Sequence, residues 1–168
     1  ERGAVVYAGV DYEAILRGAE KEADIIVWDG GNNDLPFYHP ALHICIVDPH
    51  RAGHELSYHP GETNVRMADI VVVSKVNTAS EENVAKVEEN VRSVNTKARI
   101  IKAKIVIKAE REGEIPRKSV LVIEDGPTVT HGEMAYGAAT IKARELNAMI
   151  IDPRPYAIGS IKELYELY

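Results

Sequence analysis

The chain has 168 residues, 45% hydrophobic and 27% charged, which suits one core of ordinary size and excludes a disordered segment. Its formal charge of −6 is dispersed without a basic stripe, arguing against a nucleic-acid partner. No apolar run approaches the length of a membrane span and the first residues lack a secretory core, so a cytoplasmic location without membrane contact is expected.

In chain order, apolar β-branched runs alternate with helical patterns, the arrangement of a mainly parallel sheet covered by helices. A strand is expected at 4–8, then a helix opened by Asp11 with Ile15, Leu16, Ala19 and Ala23 facing inward. Strands are expected at 24–28, at 42–47 after an irregular stretch, and at 70–73 after a loop spanning 48–63. Thr78-Ala-Ser-Glu81 reads as a capping box, opening a helix whose Val84, Val87, Val91 and Val94 recur at helical spacing. Further strands are expected at 99–102, with an extension toward 108, and at 120–123, the two separated by a charged turn at 110–118. A helix over 134–146, a strand at 148–151 and a helix from Ser160 close the chain. The lone cysteine, Cys45, falls inside an apolar run and reads as a small core residue. Because residue 4 already lies in a strand pattern behind Glu1, a portion upstream is expected to be missing.

Ligands of open parallel sheets collect at the carboxyl ends of the strands, where this sequence places its polar and glycine-rich clusters. Asp29-Gly30-Gly31-Asn32 follows an apolar run. A carboxylate there suits Mg²⁺ and the glycines allow close backbone approach to phosphate, although a strand ending in an ordinary turn reads the same way. Asp48-Pro-His-Arg51 follows the next run. Arg51 and Arg66 are candidate forks for phosphate or carboxylate, with surface ion pairing as the plain alternative. Five histidines between His39 and His59 invite a zinc reading, but their spacing fits no tetrahedral set. Ser74-Lys75-Val76-Asn77 ends a strand. The segment from Glu124 to Gly132 contributes Gly126, Thr128, Thr130, His131 and Gly132 to what reads as an anion site at a helix start. Arg154, in Asp152-Pro-Arg-Pro-Tyr156, suits a phosphate or base contact, or belongs to a turn stiffened by its prolines. No Gly-x-x-x-x-Gly-Lys-[Ser/Thr] occurs anywhere in the sequence; Gly132 and Gly137 have the glycine spacing, but Ala138 and Ala139 follow them.

Taken in order, Trp28-Asp-Gly-Gly-Asn-Asn-Asp34, Asp48-Pro-His-Arg51, Pro60-Gly-Glu-Thr-Asn64, Arg66-Met-Ala-Asp69, Ser-Lys-Val-Asn77, Glu124-Asp-Gly-Pro-Thr128 with Thr130-His-Gly132, and Asp152-Pro-Arg-Pro-Tyr156 resemble the C-terminal part of the archaeal cyclic 2,3-diphosphoglycerate synthetase family. The resemblance implies a P-loop NTPase-like α/β fold of three layers, a mainly parallel sheet with helices on both faces, incomplete at its N-terminus. It also implies a Walker A region and a Rossmann-like domain outside these residues. The implied reaction is ATP-dependent closure of 2,3-diphosphoglycerate into its cyclic phosphoanhydride, with Mg²⁺ and ATP (or GTP) as cofactors and a small phosphorylated substrate as partner. An assembly of identical copies is compatible with it.

Under that resemblance Asp29 is the metal-binding carboxylate, and Asp29, Arg51, Arg66 and His131 are the catalytic candidates. Lys75, Asn77 and Arg154 are the nucleotide-binding candidates. Phosphate or substrate is left to Gly30, Gly31, Asn32, Gly126, Thr128, Thr130 and Gly132. Ser74 and Asn77 depart from the Asn-Lys-x-Asp pattern of guanine-reading folds, because a neutral amide at Asn77 lacks the second acceptor for guanine. Two other readings stay open: a small-molecule or lipid kinase, suggested by Pro60-Gly-Glu62 ahead of Arg66, and a non-catalytic nucleotide-binding or assembly module. Without the P-loop cradle the isolated chain is expected to be catalytically weak or inactive.

Overall fold

The structure is a computed structural model that describes residues 3–30, 34–124 and 136–167. It divides into two compact units, Glu1–Ile105 and Val106–Tyr168.

The first unit is built on three parallel strands, β1 (Ile44–Val47), β2 (Ile70–Val73) and β3 (Arg99–Lys102), in the order β1-β2-β3. Ile44 lies opposite Ile70 and Ile70 opposite Arg99, so the three strands start level and end level. Because strand side chains alternate between faces, Cys45, Val47, Val71 and Val73 fall on one face and are buried there. Helix α1 spans Tyr12–Ala19. Short α2 (His54–Ser57) and α3 (Gly61–Met67) follow β1, and α4 (Glu81–Val94) joins β2 to β3. Helix α4 packs against β2, α2 and α3, and its Val84, Val87 and Val91 share a core with Val65, Ala68 and Ala98. Burying each such valine fully contributes about 1.5–3 kcal/mol.

Two side chains lock these elements together. Asn95, at the carboxyl end of α4, donates Nδ2–H to the Val65 and Ala68 carbonyls at 2.9 and 2.8 Å, and its Oδ1 accepts from the Ala98 and Lys97 amides. One amide thereby satisfies backbone groups at the end of α3 and just before β3. The buried Glu55 accepts from the Gly53 amide at 2.9 Å and from Asn90 Nδ2 at 2.6 Å, fixing α2 to α4.

Several sequence expectations shift. The runs at 4–8 and 24–28 are irregular rather than strands. A strand persists only where a neighbour completes its ladder, and Val5, Val6, Ile25 and Val27 remain 70%, 88%, 81% and 82% exposed. The stretch 48–63, expected as a loop, holds a 3₁₀ turn at Pro49–Arg51, α2 and the start of α3; none of these is long enough to show a helical period. Helix α4 is capped by Ser80, whose Oγ accepts from the Asn83 amide at 3.2 Å, and not by Thr78. β3 stops at Lys102 instead of running toward 108.

In the second unit β4 (Ser119–Val120) pairs in parallel with β5 (Met149–Ile150), and helices α5 (Ala138–Glu145) and α6 (Gly159–Leu167) complete it. Lys142 of α5, only 15% exposed, reaches Glu112 at 2.8 Å and Glu145 at 3.3 Å. The fold class is α/β with parallel sheets, as the alternating pattern implied. Among the described residues no helix is long and apolar enough to cross a membrane.

Candidate functional site

The three strands of the first unit end level, so the residues that follow them form one rim. From β1 the rim receives Asp48, His50 and Arg51; from β2 it receives Ser74, Lys75, Asn77 and Thr78; from β3 it receives 103–105.

Backbone bonds carry the ladder slightly past the strands: Ser74 N–H donates to the Val47 carbonyl at 3.0 Å and Ala103 N–H to that of Val73 at 2.8 Å. The buried Ser74 also donates its hydroxyl to Val47 O at 3.1 Å.

Side chains then tie the strand ends to one another. Lys75 Nζ donates to Asp48 Oδ2 at 2.5 Å, with the two side chains 34% and 24% exposed. Asp48 Oδ1 accepts from the His50 amide at 3.0 Å, capping the 3₁₀ turn that carries Arg51. His50 Nε2 and Thr78 Oγ1 lie 2.9 Å apart, a second bond between the loops after β1 and β2. Asn77 donates Nδ2–H to the Ile105 carbonyl at 3.1 Å and accepts the Ile105 amide on Oδ1 at 3.0 Å. Both polar atoms of that side chain are therefore engaged by the segment beyond β3. Lys75 itself adopts φ +54°, the left-handed region.

The rim thus unites three of the predicted residues, Arg51, Lys75 and Asn77. Arg66 is placed elsewhere. It lies in the last turn of α3, which leads into the amino end of β2, and its guanidinium pairs with Glu62 at 2.6 Å. β2 separates this ion pair from Lys75 and the rim. Asp29 is exposed and forms no hydrogen bond or ion pair among the described residues, so its carboxylate is available to a cation. No group of three or more potential ligands converges on a metal position among the described residues. Gly30 carries a steric requirement: a Cβ there would lie 2.8–2.9 Å from two Trp28 ring atoms and closer still to a third, so the close approach it permits is to that indole.

In the second unit Arg154 forms a forked pair with Asp152, with Nε and Nη2 reaching its oxygens at 2.8–3.1 Å. That pairing lowers the Asp152 pKa and raises that of Arg154. Gly31, Asn32, Gly126, Thr128, Thr130, His131 and Gly132 lie outside the described residues. The described start of α5, part of the anion site expected there, is already met by an internal carboxylate. Glu124 accepts from the Thr140 amide at 2.8 Å and the Ala139 amide at 3.3 Å. Burial pushes the Glu124 carboxyl up, but the Thr140 side chain and the amides of 137, 139 and 140 outweigh it and hold the pKa below the ordinary glutamate value.

Asp48, His50 and Thr78 were not singled out from sequence as site residues. The signal for Asp48 was present, since an acidic residue directly after an apolar run is the same cue that selected Asp29. Thr78 stands in a pattern that reads as a helix cap, which hides its place at the rim.

Comparison with known proteins agrees with this architecture. The family model for cyclic 2,3-diphosphoglycerate synthetase, P-loop domain, matches residues 2–104. Arginine synthetase ArcE of Thermococcus kodakarensis is 59% identical over 169 aligned residues, which cover 100% of this chain and 38% of that protein. The chain thus spans well under half the length of this curated relative, and no solved structure matches it. With three-fifths of its length matched by the family model and its strand-end motifs on one rim of a parallel sheet, the chain belongs to the cyclic 2,3-diphosphoglycerate synthetase family.

Proposed function

We propose that the chain is part of a nucleotide-dependent synthetase that spends a nucleoside triphosphate, ATP or GTP, to activate a small substrate in the cytoplasm. The observation that carries this reading is the rim of a family P-loop domain, where Lys75, Asp48, Arg51, His50 and Thr78 gather at adjacent strand ends. Ligands of open parallel sheets bind at such ends, and phosphoryl transfer depends mainly on positioned cations and amide donors. A Walker A cradle, absent from these 168 residues, comes in this reading from elsewhere in the protein, as does a Rossmann-like domain.

In this reading Asp29, exposed after the apolar run 25–28, would lend one carboxylate to Mg²⁺, with no further ligand cluster beside it among the described residues. When bound, the ion would neutralise charge on the phosphoryl oxygens. The chain's own residues do the rest: Lys75 and Arg51 offer cationic donors, while Asp48 and Thr78 hold the loops that carry them.

Two substrates compete. The family's name points to closure of 2,3-diphosphoglycerate into a cyclic phosphoanhydride, and the relative's name points to arginine. Identity of 59% across the whole chain favours the arginine-forming reading. Any synthetase also runs in reverse. The full-length protein is therefore expected to make ATP from ADP and phosphate, or from AMP and pyrophosphate, as it cleaves arginine back into the components it would otherwise join, in the presence of Mg²⁺. Nucleotide turnover that depends on 2,3-diphosphoglycerate and ignores arginine would establish the other substrate, and turnover with neither would remove the synthetase reading.

A further inference from the structure

We propose that Lys75 is a contact for a phosphoryl group and that Asp48 is the residue that positions it; this rests on the nucleotide-dependent reading above. The Asn-Lys-x-Asp comparison would instead lay the lysine along a nucleotide base, with the residue two positions on reading the base edge. The hydrogen bonds of Asn77 and Lys75 support a different arrangement. Asn77 engages its Oδ1 and one Nδ2–H with the Ile105 backbone at 3.0 and 3.1 Å, which commits the amide to the segment beyond β3. Lys75 turns its ammonium onto Asp48, a carboxylate at the end of the neighbouring strand, at 2.5 Å.

An ammonium carries three N–H donors. One goes to Asp48, and the other two have no partner among the described residues. Asp48 is itself fixed by accepting the His50 amide, so the ammonium is held at one place between the ends of β1 and β2. The pair is only 34% and 24% exposed, which leaves it less screened by salt than a surface pair.

The backbone supports the same placement. Lys75 stands at φ +54°, a region that costs a non-glycine residue about 1 kcal/mol or more. It is kept there by the Thr78 and Ala79 amides, which donate to the Lys75 carbonyl at 3.0 and 3.1 Å. A turn of this kind sends the side chain across to the adjacent strand end. Two N–H donors left over on a cation fixed by Asp48 suit the clustered oxygens of a tetrahedral phosphoryl group.

The test is calorimetric titration of the full-length protein with ATP, adenosine and inorganic pyrophosphate in the presence of Mg²⁺. Lys75→Met is expected to weaken ATP and pyrophosphate about 10- to 100-fold, the range of a charge-assisted bond, and to leave adenosine unchanged. Lys75→Arg, which keeps the charge, should stay within a few-fold of the parent and serves if Lys75→Met melts early. Asp48→Ala should weaken ATP in the parent and add nothing in the Lys75→Met background, as a positioning residue requires. Equal loss of adenosine and ATP with pyrophosphate unaffected would return Lys75 to the base. Parent binding that Lys75→Met leaves intact overturns this proposal alone, and a parent that binds neither ATP nor pyrophosphate overturns the nucleotide-dependent reading with it.

Discussion

Cys45 is 5% exposed at the second position of β1, and burial pushes its thiol up to about 11. The reactive species is the thiolate, so this cysteine behaves as a small hydrophobe. Native protein at pH 8 should take up no iodoacetamide over a period in which denatured protein is fully alkylated, as intact mass will show. Glu124 illustrates a residue whose charge serves the fold. Its pKa is lowered in the folded state, so its contribution to stability is present above the unfolded value and is lost as pH falls through the folded one. Glu124→Gln is expected to melt less stably than the parent by about 1 kcal/mol at pH 7, and the two should converge as the pH is taken below the folded value. Gly137 belongs to the same arrangement, since a Cβ there would lie 2.9 Å from the Glu124 carboxyl carbon and closer still to one of its oxygens.

Among the elements, α4 was the most legible, because Val84, Val87, Val91 and Val94 at helical spacing behind a capping pattern identify it without reference to anything else. Its first turn holds the one local ambiguity. Thr78 and Ser80 both stand ahead of acidic residues, and only the fold shows that Ser80 caps the helix while Thr78 bonds to the Lys75 carbonyl and to His50. Ser80→Ala should therefore cost about 1 kcal/mol in chemical denaturation. Thr78→Ala should cost less and act on the loops at the rim. A larger loss at Thr78 than at Ser80 would put the cap back where the sequence pattern suggested it. The strand-like runs 4–8 and 24–28 show the opposite case: their composition is that of strands, but a strand needs a neighbour, and none is paired with them among the described residues.

At the scale of the whole molecule, no phosphate cradle of the Gly-Lys-Ser/Thr kind is encoded in these 168 residues. The isolated chain is expected to show no Mg²⁺-dependent ATP hydrolysis above buffer, measured by phosphate release, while the full-length protein does. Turnover by the short chain alone would mean that the rim residues suffice without a P-loop.

Hydrophobic period and strand-end motifs are local properties that survive in one dimension, and they carry the α/β class, the three strand runs of the first sheet, α4 and the family. They also carry Arg51, Lys75 and Asn77 to a common rim, since residues that follow parallel strands must emerge at the same end. The folded chain adds that Arg66 lies at the opposite end of β2, that Asn77 binds backbone, and that Lys75 is paired with Asp48. Each of those outcomes joins groups distant in sequence or depends on which end of an element a residue occupies. Such contacts are set by register and chain direction, which no local pattern of residue types records.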